Sequence, residues 1–390
     1  MSAVTDQHPI AHLLTAEERA LIETAAAFRR EIVAPQAAAW ERARTVPLAA
    51  IRAAAGLGLT GIEVSRALGG QGASFAAKAL IAEELARSCM AFAFSLINTQ
   101  NMAGTVARMG TPEQIERYLP RLLAGEILGG TSLTEPHAGS DFPAIATIAR
   151  RDGDCWVLDG EKAWLTNAAV AEVMLVYAKI EEAAGNDAIA AFLVDARQPG
   201  FERLPPYALM GGHAIGAGGI RLVGYRASAD SLRYPPGQGF KTALAGINGA
   251  RTYVAAMCCG MVDEALRVAV AYGAKRRSFG KRLIDHQGLR WALAEIATDL
   301  EAARLLTYRA VEVIARGDNA MLPAAYAKKF AARMAQQRLG DCLQAMGAEG
   351  LHETYPIGRH IASARIAGFV DGSTEMQNER IGGALEKIFG

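Results

Sequence analysis

Four short segments hold residue types whose chemistry would be useful together. The first is Thr131-Ser132-Leu133-Thr134-Glu135-Pro136-His137-Ala138-Gly139-Ser140-Asp141, dense in hydroxyls and turn formers. Read alone it is a surface turn, but it borders helical and β-rich stretches, where ligand clefts commonly form. The second is Trp164-Leu165-Thr166-Asn167. Its indole could wall one face of a flat heteroaromatic ring while Thr166 bonds the polar edge; the plainer alternative is a tryptophan in a β core. The third is Arg276-Arg277-Ser278-Phe279-Gly280-Lys281, where a guanidinium could hold a pyrophosphate bidentately. The fourth is Val370-Asp371-Gly372-Ser373-Thr374-Glu375-Met376-Gln377. Asp371 precedes the start of a final helix, and the ordinary role of such a carboxylate is to cap the amides of Ser373 or Thr374.

The elements that must position these segments follow from periodicity. Thr15 stands three residues before Glu18 in capping-box spacing, and Leu21, Ile22, Ala25 and Phe28 then recur at helical intervals. Pro35 interrupts or kinks that run. A second helix is expected over 47–57, a Gly-rich loop at 68–72, and buried helices over the Ala-, Leu- and Met-rich stretch 75–109. Thr111-Pro112-Glu113-Gln114 reads as another helix start. From about residue 127 to 234 the texture is that of strands. Cys155–Leu158 is expected to turn through Asp159-Gly160 into Ala163–Leu165 as a hairpin, with further strands over 173–178 and 189–194. Pro235-Pro236-Gly237 closes the region as a linker. Beyond it, Leu289, Leu293, Ile296, Leu300, Ala303, Ala310 and Ile314 mark one face of a long helix over 285–316, with similar segments at 240–274 and 322–346.

Composition narrows the possibilities. The chain has 390 residues, enough for two or three domains, with 51% hydrophobic and 21% charged residues. Forty-one basic against forty acidic residues leave a formal charge of +1, which offers no electrostatic case for nucleic acid or an anionic membrane. The basic run from Lys275 to Arg282 reads as a solvated surface. Five scattered cysteines (89, 155, 258, 259 and 342) show no CxxC spacing, so neither a disulfide framework nor a metal site is expected. No apolar run reaches the roughly 18 residues of a membrane span. The N-terminus lacks the features of a signal or transit peptide, and a cytoplasmic location is expected.

In this order and at these distances, the four segments resemble the acyl-CoA dehydrogenase superfamily of flavoproteins. The resemblance runs from about residue 15 to 388 and includes the Leu68–Gly72 loop, Gly110–Gln114 and Tyr118-Leu119-Pro120. It implies an α+β, mainly α fold: an N-terminal helical domain (1–126), a central β-domain (127–235) and a C-terminal four-helix bundle (236–390). It also implies FAD between the β-domain and the bundle, and a homotetramer or homodimer. Carried over by position, Thr134 and Ser140 match residues contacting flavin and phosphates, and Trp164 and Thr166 match the pair covering and bonding the isoalloxazine. Arg276, Ser278 and Phe279 match the segment that reaches the FAD of a neighbouring subunit, and Gln344 and Gly347 match another loop that holds the adenine-dinucleotide part. Ser373 and Glu375 belong to the final cofactor motif. Arg251 matches an arginine at the catalytic end of the acyl pocket, and Asp371 matches the base.

The chemistry so implied is removal of the α-proton of an acyl-CoA or acyl-carrier-protein thioester by Asp371, with the β-hydrogen leaving as hydride to flavin N5. Electrons then pass to an electron-transfer flavoprotein. The chain departs from the family pattern at several points. Asp371 stands where Glu is usual, and the alternative base position is Ala250. Leu209-Met210-Gly211-Gly212-His213 replaces a commonly cationic motif, the strand at 219–225 lacks its usual Glu, and Glu375 replaces an amide. His213 is read as a loop residue and Cys258-Cys259 as bundle packing. These departures motivate the alternative of an oxidase or monooxygenase that uses oxygen as acceptor, in secondary or aromatic-acid metabolism. Residues 90–102, which mix apolar bulk with amides and hydroxyls, suit a short, branched, cyclic or functionalised acyl group.

Overall fold

Thr15 opens the first long helix as its spacing predicts: its Oγ1 accepts from the Glu18 N–H at 3.2 Å while Glu18 accepts from the Thr15 N–H at 2.8 Å. The computed structural model describes residues 9–390; the first eight residues, part of the stretch read for a leader, lie outside the described residues. Helix α1 (Ala16–Phe28) passes through a π-helical turn at Arg29–Val33 into α2 (Ala34–Ala43). Pro35 sits in the first turn of α2, where its missing N–H falls beside the wider turn, so the run continues instead of ending. Helix α3 (Leu48–Gly56) follows, then α4 (Phe75–Met109), two helical stretches joined at a kink where Cys89 is non-helical, and α5 (Pro112–Leu123), capped by Thr111 and Gln114.

The central region is an eight-stranded mixed sheet of β1 (Gly129–Ser132), β2 (Ile148–Asp152), β3 (Cys155–Leu165), β4 (Val173–Ile180), β5 (Ile189–Asp195), β6 (Phe201–Arg203), β7 (Gly218–Ser228) and β8 (Leu232–Tyr234). Its order is β6-β7-β3-β2-β4-β5-β8, with β1 also pairing in parallel with β4. Strand β4 is buried on both faces. Val173, Leu175 and Tyr177 join the core under α4 and α5, while Met174, Val176 and Ala178 face a second core with Trp156, Phe192 and Tyr225.

One expectation fails here. Residues 155–165 are a single strand, not a hairpin, and Asp159-Gly160 is a bulge against β7. The turn falls one Asp-Gly dipeptide earlier, where Gly153-Asp154 link β2 to β3 with Gly153 at φ 59°. Gly160 serves close approach instead: a Cβ there would lie 2.5 Å from Thr147 Oγ1 and 2.7 Å from its Cα.

The last third is helical. Helix α6 (Gly239–Lys275) leads through a two-stranded hairpin of β9 (Arg277–Ser278) and β10 (Lys281–Arg282) into α7 (Gln287–Ala315), α8 (Met321–Met346) and α9 (Ile357–Phe369). These four long helices form the bundle. Two short helices, α10 (Thr374–Gly382) and α11 (Leu385–Phe389), end the chain. The periodic face of α7 is buried through Leu293, Ile296, Leu300, Ala303 and Ala310, and Cys258 and Cys259 lie fully inside. Among the described residues, no helix is long and apolar enough to cross a membrane.

Candidate active site

The link between α9 and α10 is a sharp turn at Asp371-Gly372, with φ of 55° and 94°. Glycine adopts that backbone freely, whereas a left-handed aspartate is disfavoured by roughly 1–2 kcal/mol and must be held there. Three side chains hold it through carbonyls. Arg251 Nε of α6 donates to Asp371 O at 3.1 Å, Lys328 Nζ of α8 donates to Gly372 O at 2.9 Å, and Gln377 Nε2 donates to the same oxygen at 2.9 Å. Arg251 is itself steadied by Asn248 Oδ1 at 3.0 Å. The capping reading of Asp371 does not hold: Ser373 Oγ accepts from the Met376 N–H and caps α10.

The Asp371 carboxylate is thereby left for other work. Its Oδ2 is enclosed and has no hydrogen-bond partner among the described residues. Burial pushes the carboxyl up to about 6, against the opposing pull of the Lys328 and Arg251 charges. Burial also brings Arg251 down to about 10, with Arg380 adding repulsion and Asp371 opposing. Lys328 is brought down to about 8 by burial, with Asp371 and Cys258 opposing. A carboxylate that takes up a proton near neutrality suits general-base chemistry.

The β-rich residues gather around the end of β3. Trp164 has a left-handed backbone (φ 60°) that turns its indole outward, 63% exposed, with the Tyr207 ring behind it at 4.5 Å between centroids. Thr166 is half-buried beside it, and its carbonyl lies where a Cβ on Gly130 would come within 2.8 Å. Thr134 is joined to this strand, its carbonyl accepting from the Ala163 N–H at 3.0 Å, and Ser140 is exposed farther along the same loop. Arg276, Phe279, Gln344, Gly347 and Glu375 are exposed, and Ser278 is half-buried. Phe279 and Gly280, both at positive φ, make the β9–β10 turn and leave the phenyl ring 93% exposed. In the single chain the structure therefore joins Asp371 to Arg251 and the end of β3 to Thr134. It leaves the 276–279 and 344–347 segments at the surface.

Sequence reasoning missed two structural anchors. Lys328 lies on the buried face of α8 in step with Ala324, Ala331 and Ala335, and a lysine on an apolar stripe was the signal. Asn167, fully buried at φ 63°, ties the end of β3 to α4: its Nδ2 donates to Ser95 O at 3.1 Å and Gly129 O at 2.9 Å, and its Oδ1 accepts from Ser95 Oγ at 2.6 Å. His213 opens a three-residue 3-10 turn, His213–Ile215, with Nδ1 2.8 Å from Glu41 Oε1.

Three family models match in succession: the N-terminal, middle and C-terminal domains of acyl-CoA dehydrogenase, at residues 15–126, 130–223 and 237–386. The short-chain specific acyl-CoA dehydrogenase of human mitochondria is 32% identical over 370 residues, covering 95% of this chain and 90% of the relative. The chain belongs to the acyl-CoA dehydrogenase family. Two solved structures agree with that membership. Butyryl-CoA dehydrogenase from Megasphaera elsdenii is 31% identical with a TM-score of 0.91, over 96% of this chain and 99% of that one. A glutaryl-CoA dehydrogenase from Mycobacterium smegmatis in complex with FADH2 is 26% identical with a TM-score of 0.90, over 98% and 97%. Acyl-CoA dehydrogenases are FAD-dependent oxidoreductases, and this chain is one.

Proposed function

We propose that the enzyme oxidises an acyl thioester, carried on coenzyme A or an acyl-carrier protein, to the α,β-enoyl thioester, with Asp371 as the base. The observation that carries this reading is the enclosed, unpartnered Oδ2 of Asp371 in a left-handed turn clamped by Arg251, Lys328 and Gln377. The residues around β3 fit FAD, because Trp164 presents a bare indole face backed by Tyr207 beside the Thr166 hydroxyl. FAD, when bound, supplies the acceptor for the hydride that leaves the β-carbon. Asp371 takes the α-proton as the double bond forms, and its backbone N–H donates to the thioester carbonyl as charge develops there.

Thr134 and Ser140 are read as contacts to flavin and phosphate, with Ser373 and Glu375 in the final cofactor motif. The exposed Arg276 and Phe279, with Ser278, are read as contacts to the FAD of a neighbouring copy in a homodimer or homotetramer, and Gln344 and Gly347 as contacts to the adenine-dinucleotide part. Domain boundaries are placed at 126/127 and 235/236, a cytoplasmic location is retained, and an electron-transfer flavoprotein is the acceptor. The acyl group is read as short, branched, cyclic or functionalised. Tyr253, two residues beyond Arg251, accepts from Asn101 Nδ2 at 3.3 Å; Lys78 pairs with Glu63 and donates to Asn101 Oδ1 at 3.2 Å. Burial pushes Tyr253 well above its ordinary value, and the charges of Asp371 and Glu63 act in the same direction.

The test is to mix the FAD-loaded enzyme anaerobically with short, branched, hydroxylated and aromatic acyl-CoAs and follow bleaching of the flavin band. Bleaching by a short acyl-CoA, with slow reoxidation in air and fast reoxidation by an artificial electron acceptor, is expected. Rapid reoxidation in air with release of peroxide would move the enzyme to the oxidases. An Asp371→Asn variant bleached at the wild-type rate would remove Asp371 as base.

A further inference from the structure

Lys328 is 1% exposed on the apolar face of α8, among Ala324, Ala325, Ala327, Ala331 and Ala332. An ammonium group in such surroundings carries a desolvation penalty of several kcal/mol, and an apolar side chain of similar length would avoid it. No carboxylate forms an ion pair with Nζ among the described residues; its hydrogen bond goes to Gly372 O at 2.9 Å. Yet its charge reaches the Asp371 carboxylate one residue away in the same turn. The ammonium therefore touches the backbone of the turn and acts on the carboxylate without occupying its oxygens.

We propose that Lys328 is a positioning residue for Asp371, fixing the left-handed turn through the Gly372 carbonyl and holding the carboxylate ionised by its charge while leaving Oδ2 free. This rests on the reading of Asp371 as base. A direct ion pair would stabilise the carboxylate further but would occupy the lone pairs that must receive the proton. The other charged and titratable groups facing Asp371 are Arg251 and Tyr253, both on α6, and Arg380 of α10 acts on it indirectly by repelling Arg251. Arg251 spends its Nε on Asp371 O, so the two cations divide the turn between them, one carbonyl each.

Three substitutions separate the two roles. Lys328→Gln keeps a donor and drops the charge, Lys328→Arg keeps the charge, and Lys328→Met drops both. Two readouts are taken across pH: the rate of anaerobic flavin reduction, and the infrared carbonyl band of the protonated Asp371 carboxyl, assigned by its absence from Asp371→Asn. Losing an opposite charge that pulls a carboxyl down, as Lys328 does here, raises it by about 1 unit or more. Both Lys328→Gln and Lys328→Met should therefore move the infrared titration and the acid limb of the rate upward together, with Lys328→Arg restoring them. Lys328→Met should also lose more of the pH-independent rate than Lys328→Gln, because the Gly372 carbonyl then keeps only the Gln377 donor. An infrared titration in Lys328→Gln that coincides with wild type overturns the proposal, even with Asp371 confirmed as base. A shifted infrared titration combined with unimpaired flavin reduction by Asp371→Asn removes the base assignment and leaves the coupling standing. If Lys328→Met does not fold, the comparison of Gln with Arg still decides the matter.

Discussion

Two buried lysines in this molecule sit beside carboxylates and both pull them down, yet the two carboxylates end on opposite sides of their ordinary value. Lys162 of β3 donates directly to Glu135 Oε1 at 2.8 Å, both side chains being 1% exposed. Glu135 also accepts from the Ala146 and Thr147 amides at 2.6 and 2.9 Å. Burial alone would raise Glu135, yet the Lys162 charge and these bonds hold it below the ordinary carboxylate range. Lys328 gives its bond to a carbonyl instead, and Asp371 keeps an empty Oδ2 and rises to about 6. Burial brings both lysines down to about 8, so the cations are alike. What differs is how completely each carboxylate is satisfied. A saturated one braces a loop, and a half-satisfied one is left able to accept a proton.

The strongest way to break the contrast is to neutralise each carboxylate's side in turn. Asp371→Asn should lower the flavin-reduction rate by about 10²–10⁴-fold, the usual contribution of a positioned base, with far-UV circular dichroism unchanged. In the wild type that rate should fall as pH drops through about 6, since protonated Asp371 cannot accept the α-proton. Lys162→Met should instead act on stability, because it strands a buried carboxylate; a loss of about 3–5 kcal/mol is expected in denaturant melts.

Linkage sharpens the comparison further. The folded carboxyl of Asp371 lies above its unfolded value, so protonation favours the fold: its contribution is fully present below about 4 and is lost as pH rises through about 6. Asp371→Asn should therefore be more stable than wild type at pH 7.5, by up to about 3 kcal/mol, and no more stable at pH 4. Equal melting differences at both pH values would mean that the carboxyl titrates normally. The smallest effect is expected at Ser373, whose hydroxyl caps α10. Ser373→Ala should cost about 1 kcal/mol, read from the same melts.

Much of the scaffold was legible because it rests on local rules. The Thr15–Glu18 and Thr111–Gln114 boxes and the face of α7 are short-range patterns; the structure keeps both boxes and buries five of the seven face residues, with Leu289 and Ile314 half-buried. Asp159-Gly160 misled because the same dipeptide serves a turn or a bulge, and only the approach of Thr147 decides which. In the site, Asp371 and Arg251 were found by resemblance to a family, while their contact through a backbone carbonyl has no signature in spacing. Lys328 and Asn167 escaped for a related reason. Each is held by partners distant in sequence, Gly372 for one and Ser95 with Gly129 for the other.

The adjacent thiols of Cys258 and Cys259 have one further consequence. Burial pushes Cys258 up to about 12 and Cys259 well beyond the ordinary thiol range; Cys342 rises to about 12 and Cys89 to about 11. Since the thiolate is the reactive species, the three fully buried sulfurs of α6 and α8, Cys258, Cys259 and Cys342, are silent toward alkylating reagents while the bundle stays shut. At mildly alkaline pH, the rate at which they are labelled then measures how often α6 and α8 part. The fold thus carries its own clock for opening.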